Sequence, residues 1–111
     1  MATKKVIWAI GTRRRLKDFP LVARKKAGEQ LYRVQEGREP EDWKPMRSVG
    51  PGAMEIRIHQ PHEHRVVYVA TFPEGVYVLH VFEKKSQQTP QKDIAIARAN
   101  YDAIKKSRAQ Q

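Results

Sequence analysis

The residues of this chain best suited to chemistry alternate along one short stretch. In Met54-Glu55-Ile56-Arg57-Ile58-His59, a carboxylate, a guanidinium and an imidazole occupy every second position. That period is a strand's, so Met54, Ile56 and Ile58 share one face and Glu55, Arg57 and His59 the other. A turn later comes Arg65, on the side opposite Val66 and Tyr68, and Lys84 and Lys85 end a later apolar run. Pairing across the turn brings Arg65 to His59 and Arg57, a cationic surface suited to RNA phosphate. Cleaving RNA without a metal requires a base for the 2′-OH proton, cations for the phosphorane and a donor for the leaving 5′-oxygen. Glu55 or His59 would be the base, with Arg57, Arg65 and Lys84 or Lys85 stabilising charge. The same residues also read as cross-strand Glu–Arg pairs on a solvated face, each contributing roughly 0.2–1 kcal/mol. The residues alone leave both readings open.

Other motifs narrow the chemistry. His59, His62 and His64 fall within six residues, but Pro61 excludes a helix there and no His-Glu-x-x-His motif is present, so the expectation is a polar turn and no metal. His80 sits in an apolar run and reads as a satisfied core histidine. Gly50-Pro51-Gly52 lacks the Lys-Ser/Thr of a phosphate loop. Arg13, Arg14 and Arg15 form a solvated run that would also grip phosphates or an acidic partner.

The chain has 111 residues, 22 Lys+Arg against 12 Asp+Glu, a net charge of +10 and a pI near 10.2. Such an excess on so small a surface points to a polyanionic partner. The length suits one domain, residues 1–111, with one modest core. The absence of cysteine removes disulfide and thiolate chemistry and is compatible with a reducing cytoplasm. No apolar run approaches the roughly 20 residues of a membrane span, so no membrane partner is expected.

The elements that must position these residues follow from local patterning. Residues 6–10 are a short apolar strand stopped by Gly11, after which Thr12 has the chemistry of an N-cap for a short helix. Beyond Pro20, Ala23, Ala27, Leu31 and Val34 recur at helical spacing, interrupted only by Gly28, which costs about 1 kcal/mol relative to Ala unless a close contact needs it. Gly37 ends this helix. Residues 38–52 hold three prolines and two glycines and predict an extended connection anchored by Trp43 and Met46. Three strands then meander, at 54–59, 65–70 and 76–82. Thr89 predicts an N-cap with Pro90 at the first helical position, and Ile94, Ala97, Tyr101 and Ile104 form the buried stripe of a last helix. Residues 105–111 are expected to fray. The fold class is therefore α+β, an antiparallel sheet with an N-terminal helical hairpin on one face and a C-terminal helix, the other sheet face being left free for function.

These pieces resemble a known family. DFP before the long helix, YRVQEGREP at its end, WKPM, MEIRI, RVVYVATF and above all VYVLHVFEKKSQQTPQKDIAIARANY are similar to the phage-derived, HigB-like toxins of the RelE/ParE superfamily, over nearly the full length. The resemblance implies a RelE-like fold and the toxin of a type II toxin-antitoxin pair, an endoribonuclease that cleaves mRNA on the ribosome without a metal or cofactor. It implies a helix-turn-helix antitoxin as partner, the complex binding operator DNA through that antitoxin, and a cytoplasmic location. Arg57 and Arg65 look like the sheet-face cations of the RelE-like site, Lys85 like the basic residue after the last strand, and Glu55 fills the other outward position of MEIRI. The C-terminal catalytic tyrosine of some relatives has no match, since Tyr101 lies in the helix stripe. That departure leaves open a ParE-like, gyrase-directed member or a nontoxic phage-derived RNA-binding module.

Overall fold

The strand Val76–Glu83 (β5) is apolar at nearly every position because both its faces and both its edges are used. On one side it pairs antiparallel with His64–Val69 (β4), and on the other in parallel with Val6–Trp8 (β1). The computed structural model describes residues 3–110. Along the chain follow β1, the helices Thr12–Lys17 (α1) and Leu21–Gln35 (α2), the strands Trp43–Pro45 (β2) and Ala53–Ile58 (β3), then β4, β5 and the helix Gln91–Ala109 (α3). The sheet order is β1-β5-β4-β3-β2. The expected meander is present, extended by the short edge strand β2 and made a mixed sheet by the parallel β1.

The helical hairpin covers one face as expected. Leu16, Phe19, Ala23, Ala27, Leu31 and Val34 pack on Ile56, Ile58, Val66, Tyr68, Val76, Val78 and Val81. The other face departs from expectation, because it is not free. The stripe of α3 covers it, Ala97 and Tyr101 packing with Val67, Val69, Leu79 and Phe82. The α3 stripe and the second apolar row of β4 and β5 are complementary surfaces, and each would otherwise expose hydrocarbon. Only the charged end of this face, around Glu55, Arg57 and Arg65, lies outside that apolar cluster.

Simple alternation also fails within β5. Val67 pairs with His80 but Tyr68 with Val78, so Leu79 is an extra residue. The bulge returns Val81 to the hairpin side while Leu79 and Phe82 face α3.

Three local expectations are corrected. Thr12 lies inside α1 with its buried hydroxyl donating to the Ala9 carbonyl, and Gly11 at φ 79° takes the cap position, a left-handed backbone that glycine adopts without steric penalty. Thr89 is not a cap either: Pro90 takes that position in extended conformation, and the Thr89 hydroxyl turns to Glu55 instead. The C-terminal segment does not fray at residue 105. α3 continues through Ala109 because Arg108 pairs with Glu74 and lies over the Phe72 ring, 4.3 Å from its centroid. Gln111 lies outside the described residues. No helix among the described residues is long and apolar enough to cross a membrane.

Candidate nucleic-acid interface

Register decides which charges meet. β3 and β4 place Arg57 opposite Arg65, β2 places Lys44 opposite Glu55, and β4 places Arg65 opposite Phe82, two residues before Lys84. Five side chains, from β2, β3, β4 and the residue just after β5, thus converge at the end of the α3-facing surface.

Glu55 is the centre of this group and is fully buried. One carboxylate oxygen lies 3.6 Å from Nε of Arg65 and 3.8 Å from Nζ of Lys44, and the other accepts from the Thr89 hydroxyl at 3.3 Å. Arg65, 5% exposed, is anchored through its guanidinium to the His64 carbonyl at 2.9 Å and to Glu63 at 2.8 Å. Burying a carboxylate is costly unless cations surround it, and Lys44 and Arg65 meet that need. Lys84 is half-buried above the group. Desolvation, then the charge of Arg65, with lesser contributions from Lys44 and Arg57, holds its ammonium pKa below the ordinary lysine value, against the opposing pull of Glu55.

Among the described residues, Glu55 Oε1, Arg57 Nε and Arg65 Nε are buried and have no hydrogen-bond partner in the protein, the first as acceptor and the other two as donors. Buried polar atoms are nearly always partnered, and the exceptions gather at sites of function. All three of these lie in one cluster.

The structure sorts the residues singled out in the sequence. Glu55, Arg57, Arg65 and Lys84 come together. Lys85 is exposed and forms, with Glu63, Arg65, Lys84, Ser86 and Gln87, an open cleft of about 500 Å³. Arg57 is half-buried and is drawn toward Asp42, 3.8 Å away. His59 does not join the cluster: its ring nitrogens are bonded to Asp42 and Glu63, which hold its pKa above the usual value. Arg13 and Arg14 project from α1 into solvent. Arg15, on the same helix, reaches Nδ1 of His80 at 3.3 Å. Lys85 lines both the cleft with Arg65 and a second one with Arg15, so the cationic surface continues between them.

His80 is buried and satisfied as expected. Burial lowers its pKa, against the effect of Asp93, so the neutral ring donates Nε2–H to Asp93 at 2.7 Å and offers its Nδ1 lone pair to Arg15. These bonds tie α1, β5 and α3 together. Tyr101 is likewise a core residue, its hydroxyl donating to the Pro51 carbonyl at 2.5 Å.

Lys44 was not legible as a site residue. In Trp43-Lys44-Pro45 its only signal is a lone charge on a short edge strand, and only the pairing with β3 gives it Glu55 as a neighbour.

With this geometry in place, comparison with known proteins is decisive about family. The family model described as "Phage derived protein Gp49-like (DUF891)" matches residues 14–102. The chain belongs to this Gp49-like family. Among solved structures, the Gp49-like chain is similar to an arginine-to-alanine double mutant of E. coli toxin RelE in the free state, with a TM-score of 0.63 and 17% identity over 86% of this chain and 97% of that one. At that identity the likeness concerns the fold, which is RelE-like. No curated protein matches the Gp49-like chain significantly. The family match takes in α2 and all the cluster residues, from Lys44 to Lys84 and Lys85.

Proposed function

We propose that this Gp49-like protein is the toxin of a type II toxin-antitoxin pair, a HigB-like endoribonuclease that cleaves mRNA on the ribosome. The observation that carries the reading is the buried Glu55 carboxylate ringed by Lys44, Arg65 and Lys84 on a RelE-like sheet. That arrangement suits RNA cleavage by attack of the 2′-oxygen on the adjacent phosphorus. Arg65, Lys44 and Arg57 stabilise charge building on the non-bridging oxygens, and Lys85 grips a flanking phosphate. Lys84, its ammonium acidified by its surroundings, delivers a proton to the leaving 5′-oxygen. Glu55, with no exposed surface, orients Arg65 and Lys44 in the resting site, and takes up the 2′-OH proton once RNA displaces those cations. No step calls for a metal. Arg13, Arg14 and Arg15 extend the phosphate contact. A helix-turn-helix antitoxin silences the protein by covering this face, and the complex binds operator DNA through the antitoxin, all in the cytoplasm.

Induced expression in a bacterial host, followed by primer extension on cellular mRNA, tests this. Growth arrest with discrete new mRNA ends is expected, unchanged by chelator in a reconstituted reaction. Both signs should be lost in Lys84→Met and Arg57→Ala proteins that melt like the parent. Full toxicity in both variants would remove the site assignment. Intact mRNA with DNA damage would instead identify a ParE-like gyrase poison, and normal growth with abundant soluble protein a nontoxic RNA-binding module.

A further inference from the structure

A second cluster of chemistry-bearing residues lies at the start of β4, beside Arg65 in sequence but with His64 packed on Phe19 of the helical hairpin. The turn after β3 carries His62, β4 begins with His64, and the register pairs His64 with Glu83 at the end of β5. One nitrogen of each imidazole and one carboxylate oxygen lie within 4.8 Å of one another. Only His62 and His64 are close in sequence; Glu83 arrives through the sheet.

We propose that His62, His64 and Glu83 bind a divalent transition metal of the zinc class. Two imidazoles and one carboxylate, with a fourth position left for water, form a donor set suited to zinc and unsuited to magnesium or calcium, which take oxygen ligands. His64 is the fixed ligand. It is 1% exposed, its ring packs between Phe19 and His62 at centroid distances of 4.5 and 4.6 Å, and its Nδ1 donates to the His62 carbonyl at 2.8 Å. That bond places the ring's lone pair on Nε2, the tautomer that metal-binding histidines adopt when the other nitrogen is anchored on a carbonyl. His62 and Glu83 are exposed, and already meet at 3.0 Å between Nε2 and Oε1. Tetrahedral zinc ligands stand about 3.3 Å apart, as bonds of about 2.0 Å require, so rotation of these two free side chains closes the set. Glu63 is excluded as a ligand by its bonds to His59 and Arg65. The opposing charges are Arg65, Lys84 and Lys85, with Arg65 held by Glu63 and Glu55. Bound zinc cross-links the turn before β4 to the strand end that carries Lys84 and Lys85. Its binding does not depend on whether the protein cleaves RNA.

The test uses the untagged full chain, stripped with chelator and dialysed, titrated with zinc chloride by calorimetry and with cobalt(II) by visible absorption. One metal per chain is expected, with d–d bands of tetrahedral cobalt and a raised thermal midpoint. His62→Ala and Glu83→Gln, both at exposed positions, should each weaken zinc at least about 10–100-fold, while His59→Ala leaves it unchanged. Absence of a one-to-one zinc isotherm, or equal zinc affinity in the parent, His62→Ala and Glu83→Gln proteins, would overturn the site.

Discussion

Nε of Arg65 lies 3.6 Å from the Glu55 carboxylate, and both side chains are buried. They come from adjacent strands, face the same side of the sheet and meet at the one end of that side that α3 leaves polar. Their charges stabilise each other, yet neither is saturated by protein hydrogen bonds at the facing atoms. Under the proposed function, this pair would exchange its internal partner for a phosphate of the RNA.

Glu55→Gln keeps the shape and removes the charge. Lys44 and Arg65 then face each other without their shared counterion, and a loss of about 2 kcal/mol is expected. Lys85→Ala, at an exposed position, should change stability by less than about 0.5 kcal/mol. Urea midpoints at unchanged m-value measure both.

If Lys84 donates the proton to the leaving group, the rate must fall as pH rises through its lowered pKa. Lys84→Arg retains the cation but holds its proton far more tightly. Cleavage by that variant should be slow, with the alkaline limb of the rate profile gone. An unchanged limb in a pH series on a short RNA would assign it to another group.

His59 makes stability depend on pH with a definite sign. Its folded pKa is raised by Asp42 and then Glu63, so its contribution is fully present below the ordinary histidine value of about 6.5. That contribution disappears as pH climbs through the higher folded value. His59→Ala should flatten this decline in denaturation midpoints taken from pH 6 upward. At lower pH the partner behaves oppositely: Glu63, depressed by His59 and then Arg65, stabilises above the ordinary carboxylate value and stops doing so as its own folded pKa is passed on acidification.

The end of α3 rests on Glu74. Arg108 first, and then the Tyr77 hydroxyl, lower that carboxyl to about 2. Arg108→Ala should return the Glu74 pKa toward the ordinary range and increase amide exchange over the last turn of α3, both readable by NMR. Deprotection limited to residues after Ile104 is the expected pattern.

Gly28 lies inside α2 with no atom near the position a Cβ would take. The exception allowed for at the sequence level, a contact requiring glycine, therefore does not arise. Gly28→Ala should stabilise the protein by about 0.4–1 kcal/mol, seen as a higher thermal midpoint. Gly50 is the contrasting case, since a Cβ there would sit 3.1 Å from the Tyr101 ring; Gly50→Ala should lower the midpoint.

Much of this protein could be read from local pattern. The alternation through Met54-Ile56-Ile58 and the stripes of α2 and α3 each depend on side chains a few residues apart, whose periodicity is visible in one dimension. So was the pairing of Arg57 with Arg65, because the turn between their strands is short. The cap at Thr89 was misplaced by one residue, as Pro90 stays extended and the threonine hydroxyl goes to Glu55.

Tertiary structure decided the rest. Whether the second sheet face is open or covered depends on where α3 returns, and no local period encodes that. Lys44 joins Glu55 through strand register, Arg15 joins His80 and Asp93 across three elements, and Glu83 reaches His62 and His64 across a sheet ladder. The sequence by itself determined which residues are apolar, which carry charge and, outside the bulged strand β5, which face of each element they share. Their convergence into a site depends on contacts between distant parts of the chain, which form only when burial of two apolar layers brings five strands into one register.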